Sequence, residues 1–341
     1  MCEACDRAGI MVWHDFLFAC GDYAGDREDF EEDVVREARW GVRELSPHPS
    51  LVVWCGNNEV EQSNAERGSA GSAFHCVFLR DLPAVVAEEN PAVPYWPASP
   101  HSGPGIYPND PHIGDQHPWK VTLGGFSSCK VEGDAADWRL YRRHTDRFAN
   151  EGGVLGASPL PTLEEMLPPA DRRMFSPGWT HHENYHASVC SPPVGSAGLA
   201  YYTIEFWTGR DPLRMSVAQH SFASMLLHAG GLTEYILNYR RRMWDSAAAV
   251  FWMYNDSWPA THSWGPVDYY LRARLAYHPV RRAFAPIAVA AVEEDDGTSI
   301  GIYGINDTPQ SWSGFLRSGL CGLKGGIAYK ERATAEVPAN S

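Results

Sequence analysis

The chain has 341 residues, enough for one large domain or two ordinary ones. Lys and Arg total 28 against 42 Asp and Glu, a formal net charge of -14, so no nucleic-acid partner is expected, since phosphate backbones are held by clustered cations. No apolar run approaches the length of a membrane span and the first residues do not form a signal peptide, so no membrane partner is expected either.

In chain order, the run Ile10-Met-Val-Trp-His-Asp15 predicts a buried strand that ends in polar residues. Asp26 reads as the N-cap of a helix running to Leu45, because Phe30, Val34, Ala38, Val42 and Leu45 fall on one face at three-to-four spacing. Acids crowd its start and Arg36, Arg39 and Arg43 its end, complementing the helix dipole. Pro47 and Pro49 stop it, and Leu51-Val-Val-Trp-Cys-Gly56 reads as the next strand. Strand, helix, strand with short links is the parallel α/β pattern. Further on, residues 72–80 predict a helix, 92–96 a short strand, and 97–116 a loop too long to serve only as a connector. Strands are expected at 117–121, 147–151 and 247–254, and helices at 159–170, 212–230, 231–245 and 269–284. Residues 287–292 and 299–303, separated by Asp295-Asp-Gly297, predict a β-hairpin.

The eight cysteines have no repeated spacing, and Cys20, Cys55 and Cys76, which lie in apolar runs, are expected as buried free thiols. Cys2 and Cys5 form a lone C-x-x-C without a second pair, and neither zinc nor redox chemistry is expected there. His181, His182 and His186 lack a carboxylate or cysteine to complete a ligand set, so no metal is expected. The 13 Trp, 15 Tyr and 13 Phe include many beside Pro, Asn, Asp or His, a pattern that suits stacking on sugar rings and equally suits core packing.

The most informative stretch is Asn57-Asn58-Glu59, two amides and a carboxylate directly after an apolar strand. Strand ends of an α/β barrel are where reacting groups project, although a glutamate there also serves to cap the next helix. Glu151, after a second expected strand, supplies another carboxylate. A pair of carboxylates at strand ends is the minimal equipment of a retaining glycosidase: one protonates the departing oxygen and the other attacks the anomeric carbon. Asn58 is placed to bond the sugar hydroxyl beside the reacting carbon, since an amide donates and accepts without titrating.

At this level of detail the sequence resembles glycoside hydrolase family 2, in its β-mannosidase branch. The resemblance rests on Gly9-Ile-Met-Val-Trp-His-Asp-Phe16 and Pro47-His-Pro-Ser-Leu-Val-Val-Trp-Cys-Gly-Asn-Asn-Glu59, then on Gly114-Asp-Gln-His-Pro-Trp119, Arg147-Phe-Ala-Asn-Glu-Gly152, His181-His182, Phe251-Trp-Met-Tyr-Asn-Asp-Ser-Trp-Pro259 and Ser263-Trp264. These fall in the family's order over most of residues 3–285. The resemblance implies an α/β fold, an incomplete (β/α)8 TIM barrel supplying strands 3–8 over residues 1–285, followed by the start of an Ig-like β-sandwich over 286–341. It implies Glu59 as acid/base at the end of the fourth barrel strand, Glu151 as nucleophile at the end of the seventh, Trp252 under the sugar, and His117 and Trp119 lining the pocket. Asp15 and Asn255 are expected in structural roles. Glu205 ranks below Glu151, because it falls where the family has a connecting segment.

The function so implied is a retaining exo-β-glycosidase acting on terminal β-linked sugars of an oligosaccharide or glycoside, with β-mannosidase as the first expectation and no cofactor. The alternatives are another family 2 specificity (exo-β-glucosaminidase, β-galactosidase or β-glucuronidase) or a non-catalytic carbohydrate-binding fragment. The resemblance begins before the third barrel strand and stops inside the following domain, so a fragment of a longer protein is expected. A cytoplasmic location is slightly favoured, and the oligomeric state is open. Around Glu151 the family pattern of Ser-Glu-aromatic-Gly is replaced by Asn150, Gly152 and Gly153, which is expected to loosen packing beneath the carboxylate.

Overall fold

The computed structural model describes residues 1–68, 74–119, 121, 133–184, 186–187, 194–294 and 296–341. The chain divides into two compact units, the first made of Met1–His117 with Asp146–Asn150, the second of Pro118–Thr145 with Glu151–Ser341.

The first unit opens with helix α1 (Cys2–Ala8) and strand β1 (Val12–Asp15). Helix α2 (Glu28–Leu45) follows, then β2 (Leu51–Cys55), α3 (Val60–Arg67), a π-helix over Phe74–Asp81 that runs into α4 (Leu82–Glu89), and β3 (Tyr95–Trp96). The three strands form one parallel sheet in the order β1-β2-β3, with Asp15 opposite Cys55 and Cys55 opposite Trp96. Helices carry each crossover, as parallel neighbours require.

The buried face of α2 is Val34, Ala38 and Val42, the face expected from the spacing. It packs on Leu51 and Trp54 of β2 and on Val77, Phe78, Leu82, Val85 and Val86. Each Val, Leu or Phe of this layer contributes roughly 1.5–3 kcal/mol on leaving water, which holds β2 against the helices. On the outer side Arg39 and Arg43 pair with Glu89 at 3.0 and 2.7 Å, joining α2 to α4.

The long segment 97–116 folds back on itself. Asp115 N–H donates to His101 O at 3.3 Å, Ser102 Oγ to Pro108 O at 2.8 Å, and His117 N–H to Asn109 Oδ1 at 2.9 Å. The strand expected at 117–121 does not form over its described residues: the Asn109 amide takes both main-chain groups of His117, and Pro118 has no N–H to give. The strand expected at 147–151 shrinks to one parallel bridge, Gln116 to Ala149.

The second unit contains β4 (Gly156–Ala157), α5 (Leu160–Met166), α6 (Pro177–His181), β5 (His186–Ala187), β6 (Val194–Gly195), α7 (Ser196–Thr208), α8 (Val217–Arg240), β7 (His262–Ser263) and α9 (Tyr277–Ala283). Two antiparallel hairpins follow, β8 (Ile287–Glu293) with β9 (Ile300–Asn306), and β10 (Trp312–Cys321) with β11 (Ile327–Val337).

Three expectations change here. The two helices read over 212–245 are one, α8, capped by Ser216 and Gln219 in a reciprocal capping box. Gly230 and Gly231 do not break it, because a Cβ on Gly231 would lie 2.4 Å from Val154 Cγ2, and this close approach outweighs the helix propensity of glycine. The strand expected at 247–254 gains no ladder: Trp252 N–H donates to Gly152 O at 2.8 Å and Tyr254 O accepts from Val267 N–H at 3.3 Å, so its bonds go to different segments. The helix expected at 269–284 keeps only α9, since the Asp268 carboxylate accepts the Arg272 N–H at 2.8 Å and closes a turn. Glu205 lies within α7, on its exposed side.

Candidate active site

In the first unit the site begins where β2 ends. Asn57 is fully buried; its amide donates to Pro97 O at 3.0 Å, and its Oδ1 accepts the N–H of Val60 at 3.0 Å. One side chain thus ties the strand end to the segment after β3 and satisfies an open donor at the start of α3. Between them Glu59 is held in the left-handed region (φ 58°, ψ 10°). Its N–H donates to Ser99 O at 2.7 Å. A non-glycine residue there costs on the order of 1–3 kcal/mol and persists only where its surroundings impose it.

The Glu59 carboxylate meets His117, with Oε1 2.9 Å from Nδ1. The His117 side chain is buried, and its Nε2 lies 2.9 Å from Ser99 Oγ. Ser99 Oγ donates in turn to Asp115 Oδ2 at 2.5 Å. Asp115 is buried and also accepts from Trp96 Nε1 at 2.8 Å, the His101 N–H at 2.9 Å and Asn150 Nδ2 at 3.2 Å. Asn150 Nδ2 additionally reaches Ser99 Oγ at 2.9 Å. Asn150, the departure from the family pattern, therefore has a place in this network.

Asn58 keeps its main chain in line with the sheet: its N–H donates to Phe18 O at 2.9 Å and its carbonyl accepts from Cys20 N–H at 2.9 Å. Its amide lies 3.7 Å from Cys20 Sγ, which itself lies 3.5 Å from Glu59 Oε2. Cys20 is exposed, contrary to expectation, because it sits at φ 53° in a turn after β1 rather than within the strand. Cys55 is buried as expected, and burial beside Asp15 pushes its thiol far up. Burial raises the Asp15 carboxyl too, against the 2.8 Å bond it accepts from Trp13 Nε1.

In the second unit Trp119 Nε1 donates to Glu151 Oε1 at 2.9 Å. Trp119 lies edge-on to Trp264, centroids 6.0 Å apart. Gly152 allows Tyr235 to close in: a Cβ there would lie 2.7 Å from Tyr235 Cε2. The buried Tyr235 ring occupies the space that a side chain at 152 would take. Trp252, bonded through its main chain to Gly152, is exposed. His182 Nδ1 lies 2.7 Å from Pro259 O, and its ring stacks on Trp258; the side chain of His186 lies outside the described residues.

The sequence singled out Glu59, His117, Trp119 and Glu151 without pairing them, and it overlooked Ser99, Asp115 and Asn150 as supports of the Glu59–His117 contact. The one signal was Asp115, an acid directly before Gln116-His117.

A β-mannosidase B from Thermothelomyces thermophilus is 31% identical to this chain over 312 residues, which cover 84% of the chain and 34% of that protein. One from Aspergillus clavatus is 29% identical over 317 residues, 87% of the chain and 35% of its own length. The chain thus spans about a third of the curated relatives it matches. A solved β-D-mannosidase from Dictyoglomus thermophilum superposes with a TM-score of 0.83 at 28% identity, over 100% of this chain and 39% of that one. An exo-chitosanase from Amycolatopsis orientalis, at 17% identity, shares the fold with a TM-score of 0.68 over 99% of this chain and 38% of its own. No family model matches. A mixed α/β fold is thus shared with a solved β-D-mannosidase. The β-mannosidase relatives and the solved β-D-mannosidase support a β-mannosidase-like domain of glycoside hydrolase family 2.

Proposed function

We propose that this chain is the catalytic segment of a retaining exo-β-glycosidase, a β-mannosidase that removes terminal β-mannose, with Glu59 as acid/base and Glu151 as nucleophile. Residues 1–285 then supply strands three to eight of a (β/α)8 barrel, and residues 286–341 begin a β-sandwich domain. The observation that carries the reading is Glu59, set at the end of β2 in a strained backbone conformation with Oε1 2.9 Å from His117 Nδ1.

In the first step Glu59 gives its proton to the glycosidic oxygen while the bond from that oxygen to the anomeric carbon breaks, its electron pair staying on oxygen. A Glu151 carboxylate oxygen forms the new bond to the carbon. In the second step water attacks the same carbon, Glu59 takes its proton, and the ester bond to Glu151 breaks. Asn58 bonds the neighbouring sugar hydroxyl, Trp252 stacks under the ring, and His117 and Trp119 hold the two carboxylates.

The test is Glu59→Ala with added azide. Rescue of turnover, with a β-mannosyl azide as product, supports the assignment; unchanged activity without azide, or lost activity that azide does not rescue, opposes it. A panel of aryl β-glycosides separates mannosidase from glucosaminidase, galactosidase and glucuronidase activity.

A further inference from the structure

The donors and acceptors of the Asp115–Ser99–His117–Glu59 chain are ordered in one direction. Asp115 accepts on Oδ1 from the Trp96 indole and the His101 main chain and on Oδ2 from the Asn150 amide, and the Ser99 hydroxyl donates to Oδ2 across 2.5 Å. With its one hydrogen used, Ser99 Oγ has only lone pairs left. Asn150 Nδ2 donates into one at 2.9 Å, and the other faces His117 Nε2 at 2.9 Å. Nε2 must then be the nitrogen that carries the hydrogen. A neutral His117 therefore turns a bare Nδ1 toward Glu59 Oε1, 2.9 Å away, and only a protonated carboxyl can donate there.

We infer that Asp115 and Ser99 are positioning residues that fix the tautomer of His117, so that Nδ1 holds the acid proton on Glu59 until the departing oxygen of the substrate replaces it as acceptor. This deepens the proposed function and rests on Glu59 being its acid. The arrangement forms with no net proton change: the hydrogen that goes to the leaving group is the one shared with Nδ1, and the attacking water returns it. Asn150 fits this account, because its amide donates to Ser99 Oγ and so excludes the reversed hydroxyl orientation.

Two measurements test it on the chain as it stands. Long-range proton–nitrogen NMR on protein labelled with 15N-histidine, with the His117 signals assigned by their loss in His117→Gln, should show hydrogen on Nε2 and a bare, hydrogen-bonded Nδ1. Ser99→Ala and Asp115→Asn should each weaken or abolish that preference. Hydrogen on Nδ1, an imidazolium in the resting protein, or an unchanged signature in both folded variants overturns the inference without requiring any turnover.

The second measurement is the ratio of kcat/KM on phenyl to that on 2,4-dinitrophenyl β-mannoside, because only the poorer leaving group needs its proton. Ser99→Ala should lower this ratio roughly tenfold, the loss expected for one hydrogen bond in the network. A purely structural role would lower both substrates alike. If Glu59→Ala lowers the ratio but Ser99→Ala and Asp115→Asn do not, the inference fails and the functional reading stands. If Glu59→Ala leaves the ratio untouched, the assignment of Glu59 as acid fails, and the inference with it.

Discussion

Trp119 Nε1 donates to Glu151 Oε1 at 2.9 Å, joining an indole and a carboxylate that lie 32 residues apart in sequence. Hydrogen bonds to charged groups contribute about 1.5–3 kcal/mol. Trp119→Phe keeps most of the ring and removes the donor, so kcat/KM on an aryl β-mannoside should fall by roughly 10- to 100-fold, since 1.4 kcal/mol is a factor of ten. Steady-state kinetics with circular dichroism as a folding check measures this; an unchanged kcat/KM would show that the bond does not serve the nucleophile.

The contact between Gly152 and Tyr235 predicts a steric cost. A Cβ at 152 would lie 2.7 Å from the Tyr235 ring, whose hydroxyl is anchored to Val250 O at 2.6 Å. Gly152→Ala should destabilise the fold by roughly 1–3 kcal/mol in urea titrations, as overpacking does. The same substitution in a Tyr235→Leu background should cost clearly less. Equal costs in the two backgrounds would place the clash elsewhere.

Arg274 and Asp256 form a buried pair, with Nη2 2.5 Å from Oδ2. The same guanidinium donates to Gly265 O at 2.5 Å and to Ser158 Oγ at 2.8 Å. Removing one member strands a charge, so Asp256→Ala should cost about 3–5 kcal/mol of unfolding free energy. A loss below about 1 kcal/mol would mean that water or another group replaces the carboxylate.

Three buried histidines predict acid sensitivity. Burial lowers His220 to about 4 and His228 to about 3, and pushes His262 well below 6.5. His220 and His262 face each other through Nε2 atoms 2.9 Å apart, a contact that needs one bare nitrogen. Because the unfolded chain takes up protons near 6.5 and the folded one does not, their contribution is complete above about 6.5 and is lost as pH falls toward 4 and then 3. Each imidazole contributes a slope of up to about 1.4 kcal/mol per pH unit within that window. Urea midpoints should therefore drop between pH 6.5 and 4. His228→Gln, which can still donate to Trp264 O, should drop less. A midpoint that rises toward pH 4 would contradict the assignment.

Those elements whose stability is local were legible in the sequence. The face of α2 follows from Val34, Ala38 and Val42, and the hairpin of β8 and β9 from its Asp-Gly turn. Elements decided by distant partners were not: α8 passes through Gly230 and Gly231 where Trp138 and Val154 come close, and 247–254 forms no ladder because its main-chain bonds go to different segments. Within the candidate site, Glu59 and Glu151 were readable as carboxylates after expected strands. Their supports were not, since Ser99 and Asp115 meet His117 only through a loop closed by Asn109 and Ser102. Asn150 and Gly152 read as departures from the family pattern, and their reasons lie in Ser99 and Tyr235, which sequence spacing does not connect to them.

The central claim is that Glu151 attacks the sugar. Incubation with 2-deoxy-2-fluoro-β-mannosyl fluoride, followed by peptide mass spectrometry, should find one fluoromannosyl ester, located on Glu151 and absent from Glu151→Gln. An ester on Glu205 or on any other carboxylate, or folded protein that binds the reagent and forms no ester, would contradict it.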